Sequence, residues 1–220
     1  AQRTPLVMLG RHDDSRHYDT IGDDDIEGAR VAVQHLYDLG HRRIVLVTGT
    51  QVSESYYNYG PYVRTERAFV DVTARLGLEP VIVASGHDAG AGRELAQRLR
   101  TEQPDATAVV LLNEFAAIGL LIGLHHQQLR VPDDLSIVSM VTSDEMASLA
   151  EPTLTIMRSP GTELGELAVE HLVRQMTTGQ RPDPVLLPSI LVPGESTSPP
   201  IVSRQESRST RGTASAVSTR

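Results

Sequence analysis

The stretch from His35 to Gly49, HLYDLGHRRIVLVTG, constrains the chain more than any other. Ala29, Val33 and Leu36 recur at helical spacing and Leu39 follows three positions on, which makes the buried face of an amphipathic helix. Gly40 stands where a helix C-terminus turns through positive φ. Arg42 and Arg43 put positive charge just past that end, where the helix macrodipole favours it. Ile44-Val45-Leu46-Val47 is a continuous apolar run closed by Gly49. A strand apolar on both faces must be covered on both, as in a parallel sheet with helices above and below.

The same alternation continues downstream. Residues 5–9, 80–84, 107–112, 135–141 and 154–157 predict strands, and residues 65–76, 91–102, 116–129 and 164–176 predict helices. A last strand is expected over 185–192, where Pro188 marks a sheet edge. Strands alternating with helices imply an α/β fold with parallel sheets flanked by helices. From Gly194 the chain turns Ser/Thr/Arg/Pro-rich without apolar periodicity, so 194–220 reads as a disordered tail.

Charge and composition narrow the function. The net charge is −8. The last 27 residues carry four Arg against Glu195 and Glu206, or +2, which leaves −10 on the body. A body this acidic does not bind nucleic acid by itself, because phosphate contacts need clustered cations. The chain has no cysteine, which removes disulfides and thiolate chemistry and fits a reducing compartment. No apolar run is long enough for a membrane span, and no secretory signal opens the chain. There is no G-x-S-x-G, no H-E-x-x-H and no P-loop, and Gly86, Gly90 and Gly92 do not form a dinucleotide fingerprint. No enzyme activity, cofactor or metal site is expected; His12, Asp13 and His17 read as solvated loop residues. Asp23-Asp24-Asp25 reads as the N-cap of the helix that starts near Ile26.

Three motifs carry a resemblance. LGHRRIVLVTG, Val131-Pro132-Asp133-Asp134-Leu135-Ser136-Ile137-Val138, and Glu151-Pro152-Thr153-Leu154-Thr155 followed by Pro160 and Glu163-Leu164-Gly165-Glu166-Leu167-Ala168 occur in one order. Together they resemble the effector-binding domain of the lactose-repressor/galactose-repressor family of bacterial transcription regulators, over about residues 1–193. The resemblance implies a two-lobed, periplasmic-binding-protein-like (type I) fold with an incomplete N-terminal lobe. Lobe one would take about 1–46 and 154–180, and lobe two about 47–152 and 185–193. It also implies a small sugar-like or nucleoside-like effector in the cleft, a homodimer, a cytoplasmic location, and operator DNA bound through a helix-turn-helix domain outside this chain. A transport-linked binding protein of similar fold is the alternative, and a hydrolase using Asp23–Asp25 is a third class.

Candidate ligand contacts follow from chemistry and resemblance together. Residues 51–67 hold four of the six tyrosines; Tyr56, Tyr59 and Tyr62 offer flat faces with polar edges, suited to a sugar or base ring. Arg64 is the choice for the family's effector-binding Arg in Arg–x–x–Gly–aromatic, although it precedes Phe69 by five positions rather than four; Arg67 is its rival. Asn113 and Glu114 end a strand, where ligands of open α/β sheets gather. The resemblance implies an Asp where Val141 stands, and Asp144 could take its place if the loop shifts.

Overall fold

The computed structural model describes residues 4–10, 19–49, 60–140 and 142–201. Two sheets are formed. The smaller contains β1 (Val7–Leu9), β2 (Asp19–Asp23) and β8 (Val185–Leu187) in the order β1-β2-β8, all parallel. The larger contains β3 (Ile44–Gly49), β4 (Val81–Ser85), β5 (Ala108–Leu111), β6 (Ser136–Ser139), β7 (Thr155–Arg158) and β9 (Ile190–Val192). Its order is β4-β3-β5-β6-β7-β9, parallel except for the antiparallel β9 at the edge.

Beta-strand alternation explains the apolar run Ile44–Val47. Ile44 and Leu46 point to one face of β3 and join Ala32, Val33 and Leu36 of α1 (Asp25–Asp38) and Phe69 and Val72 of α2 (Gly60–Arg75). Val45 and Val47 point to the other and join Leu95 and Leu99 of α3 (Ala89–Glu102) and Leu120 and Leu124 of α4 (Glu114–His126). A strand between two helical layers has no solvent face, so Ile44–Val47 are all apolar. Gly40 has φ 103°, and Arg42 donates to the Tyr37 carbonyl while stacking 3.9 Å over the Tyr37 ring.

The smaller sheet is covered by α6 (Gly161–Thr178), whose Gln175 is almost fully buried. Its amide pairs both ways with the Leu6 backbone, accepting from Leu6 N–H and donating to Leu6 C=O, each at 3.0 Å. A side chain thereby acts as a strand partner just before β1.

Three expectations need correction. The lobe boundary expected at 46/47 cuts through β3, which lies wholly in the larger sheet together with β7. The reason is strand pairing: β3 bonds β4 on one side and β5 on the other, so it is an interior strand of the larger sheet. The last strand divides at Pro188, with β8 in the smaller sheet and β9 in the larger. The tail does not begin at Gly194. Ser196 is fully buried, accepts from Thr155 N–H at 2.8 Å and donates to the Ile137 carbonyl at 2.6 Å, while Glu195 N–H bonds the Thr153 carbonyl at 2.8 Å. Hydroxyls, not apolar side chains, fasten this segment, so a search for apolar periodicity misses it. Residues 202–220 lie outside the described residues.

Candidate functional site

A cleft of about 640 Å³ lies at the carboxyl ends of strands from both sheets. Its floor holds Asp23 at the end of β2, Leu112 and Asn113 after β5, Met140 after β6, and Met157 and Arg158 of β7. Its walls include Tyr62 and Thr65 of α2, Glu114 and Phe115 of α4, Asp144 and Glu145 of a short helix α5 (Asp144–Leu149), and Ser189 between β8 and β9. The volume suits a small molecule, and the position at strand carboxyl ends is where open α/β sheets bind ligands.

Asn113 has two roles. Its Oδ1 caps α4 by accepting from Ala116 N–H at 2.9 Å, and its Nδ2 lies 3.4 Å from His87 Nδ1. Tyr62 stacks on the same imidazole, with ring centroids 5.8 Å apart and planes 21° apart, and its hydroxyl lies 3.3 Å from Nδ1. The His87 ring rests on Gly49, where a Cβ would meet it at 2.5 Å. A side chain at the end of β3 would therefore displace the His87 ring, which contacts both Tyr62 and Asn113.

The N-terminus of α1 supplies carboxyl groups. Asp24 caps it, accepting from Glu27 N–H at 3.0 Å. Asp25 faces the cleft and holds Arg64 of α2, with Nη2 to Oδ2 at 2.7 Å and Nε to Oδ2 at 2.9 Å. Burial pushes the Asp25 carboxyl up, and nearby Asp23 and Asp24 push the same way, against the pull of Arg64. Asp23 Oδ1 is buried without a hydrogen-bond partner. Across the cleft, Asp144 pairs with Arg158 at 3.0 Å, and a buried hydroxyl pair, Ser139 with Thr142, braces the turn before α5.

Of the predicted contacts, the structure brings Tyr62, Asn113, Glu114 and Asp144 together around one cleft. Tyr56 and Tyr59 lie outside the described residues, as does Val141. Arg64 does not line the cleft; its guanidinium turns to Asp25. Thr65, 3% exposed, lines it instead, and Arg67 points outward. The signal was available, since Thr65 is the residue four before Phe69. Phe115 and His87 carried no motif that could have singled them out.

The Asp25–Arg64 pair yields a stability prediction. Both side chains are mostly buried, at 13% and 16% exposed. Arg64→Met is expected to cost about 1–3 kcal/mol at pH 7, because it strands a desolvated carboxylate. The loss should shrink as pH falls through the Asp25 titration, since a neutral Asp25 needs no cation. Urea midpoints at pH 7 and pH 4 measure this; a pH-independent loss would contradict it.

The two sheets meet at a shared cleft of ligand size. The chain belongs to the periplasmic binding protein-like domain family, whose model matches residues 33–197, and it is similar to LacI-family transcriptional regulators. An uncharacterised HTH-type transcriptional regulator of Streptomyces limosus is 29% identical over 203 residues, covering 86% of this chain and 54% of that protein. The HTH-type transcriptional repressor CytR of Escherichia coli is 31% identical over 178 residues, covering 78% of this chain and 49% of the repressor. A crystal structure of a LacI family regulator from Arthrobacter sp. FB24 in complex with lactose superposes with TM-score 0.76 at 27% identity, over 88% of this chain and 70% of that one. The chain spans about half the length of the curated relatives it matches. Among the described residues, no helix is long and apolar enough to cross a membrane.

Proposed function

We propose that this chain is the effector-sensing domain of a bacterial transcription regulator, binding a small hydroxylated molecule in the cleft between its sheets. The cleft itself carries the reading: about 640 Å³, lined by residues that end strands of both sheets. A ligand seated there touches Asp23 and Ser189 beside the smaller sheet and Asn113, Met140 and Arg158 beside the larger. It stabilises whichever lobe arrangement offers all these contacts at once, and so shifts an open–closed equilibrium. Only a difference in affinity between the two arrangements switches anything. The lactose complex and the repressor relatives support this reading over a transport role. The domain acts as a cytoplasmic homodimer, and operator DNA is bound by a part of the protein outside this chain.

Thermal unfolding against a panel of sugars and nucleosides tests the proposal. A ligand at about 100 times its Kd adds about 2.7 kcal/mol to native stability, which raises Tm by several degrees. Glu114→Ala is expected to remove most of that shift while leaving the unliganded Tm within about 1 °C. If no panel member moves Tm while the unfolding is cooperative, the sensing reading fails.

A further inference from the structure

We infer that the cleft selects a cationic effector: a small hydroxylated ring that carries a protonated amine. This rests on the sensing reading above and specifies its ligand. Five carboxyl side chains line the cleft, and Arg158 is the one cation among its described lining residues. Arg158 is engaged by Asp144 and Arg64 by Asp25. Asp23, Glu114 and Glu145 have no ion-pair partner among the described residues.

Two further observations point to a bound group. Asp23 Oδ1 is buried with nothing donating to it. Thr65 is 97% buried in the cleft wall, and its hydroxyl bonds none of the described residues. A buried carboxyl oxygen such as Asp23 Oδ1 is ordinarily satisfied, and here a ligand donor completes it. Closing the cleft over a neutral molecule would take Asp23 and Glu114 out of water with no compensating charge, which is costly. A phosphorylated molecule would add like charge. A protonated amine supplies both the donors and the charge.

A metal ion is the other cation to consider. No group of three or more His, Asp or Glu side chains among the described residues is placed to hold one. The carboxyl groups are dispersed around the cleft, so the positive charge belongs to a larger body that spans it. Phe115 fits such a body. It lines the cleft and is half exposed, offering a ring face for the apolar side of a sugar ring or for the ammonium itself. Ser143, Ser159, Thr162 and Ser189 supply hydroxyl partners around the rim.

Titration calorimetry at pH 7 with two matched hexose series tests the inference. One series is glucose, glucosamine and glucose 6-phosphate; the other is the galactose counterparts. In at least one series the amine is expected to bind at least tenfold more tightly than the neutral hexose, and the phosphate more weakly than either. Raising NaCl to 0.5 M should weaken the amine several-fold and leave the neutral hexose nearly unchanged. Asp23→Asn combined with Glu114→Gln should bring the amine-to-neutral ratio below three; Glu145→Gln alone should reduce it partially, and circular dichroism checks that both variants are folded. Neutral hexose binding as tightly as its amine would overturn the cationic inference and leave the sensing reading standing. A folded chain that binds no member of either series would overturn the cationic inference, and the panel of sugars and nucleosides then decides the sensing reading separately.

Discussion

Gly119→Ala is expected to lower the stability of the chain by about 2–3 kcal/mol, although alanine is the better helix former by about 1 kcal/mol. The reason is the seam between α3 and α4. A Cβ at Gly119 would run into the Ala89 backbone, with its Cα and carbonyl carbon at 2.8 Å and its carbonyl oxygen nearer still. Gly92 answers from the other helix, where a Cβ would lie 2.9 Å from Gly119 Cα and from Leu120 N. Gly123 continues the seam one turn on, against the Arg93 carbonyl oxygen at 2.9 Å. These obstacles are backbone atoms, which cannot swing aside, so the helices must separate. Separation loosens Leu95, Leu99, Leu120 and Leu124, which share one core. In a domain of this size the change corresponds to a fall in Tm of roughly 5–10 °C. Gly165→Ala in α6 is the control. Nothing lies within 4 Å of its Cβ position, so stability should rise by up to about 1 kcal/mol. The seam also matters for the site, because α4 begins with Glu114 and Phe115 and α3 follows directly on His87 and Asp88. Effector affinity should therefore fall in Gly119→Ala even well below its Tm. Equal Tm values for Gly119→Ala and Gly165→Ala would refute the account of the seam.

The large sheet was legible because its strands are buried on both faces. Runs such as Ile44–Val47 and Val109-Val110-Leu111 are too short to cross a membrane and fit strands covered on both sides. The glycines were legible for the same kind of reason: Gly40, Gly77 and Gly179 all take positive φ at helix ends. β2 was not read as a strand. Asp19-Thr20-Ile21-Gly22-Asp23 holds one large apolar residue, Ile21, and that residue is fully buried. Its neighbours are set by pairing with β1 and β8 rather than by side-chain pattern. The site divides along similar lines. Asn113 and Glu114 were legible because they end an obvious strand. The sequence offers Asp23–Asp25 as helix caps or, in the hydrolase alternative, as catalytic carboxyls; in the structure Asp24 does the capping while its two neighbours face the cleft. Three adjacent carboxyls on a strand-to-helix turn point in different directions, and the sequence does not say which of them points where.

His41 is expected to make the chain lose about 3 kcal/mol of stability between pH 7.5 and pH 4. The side chain is 1% exposed. Its Nε2 bonds the Ser198 carbonyl at 2.9 Å and its Nδ1 the Thr107 hydroxyl at 2.9 Å. A carbonyl only accepts, so Nε2 carries the proton and Nδ1 accepts, and the neutral ring satisfies both partners. Burial holds its pKa down from 6.5 to about 4, against a smaller opposing effect of the Ser198 carbonyl. Between those two values the unfolded chain binds the extra proton and the folded chain does not. Stability is therefore complete above about pH 6.5, declines as pH falls, and stops declining near pH 4. A displacement of this size corresponds to about 3 kcal/mol. His35 is pushed down by burial as well and bonds Thr197 at 3.1 Å, so it acts in the same sense. Asp25 acts oppositely, because its raised pKa lets the folded state hold a proton longer. Comparing the chain with His41→Asn cancels both of these contributions. The variant should be less stable at pH 7.5, where its partners are imperfectly met, and should show a flatter pH dependence by about 3 kcal/mol. The first loss from the native state on acidification is expected in 194–198, which His41 and Ser136 hold through the Ser198 backbone. Hydrogen exchange of the Ser196 and Ser198 amides at pH 7.5 and pH 4.5 reads this directly. If both stay equally protected, or if the two stability curves run parallel, His41 does not control the segment.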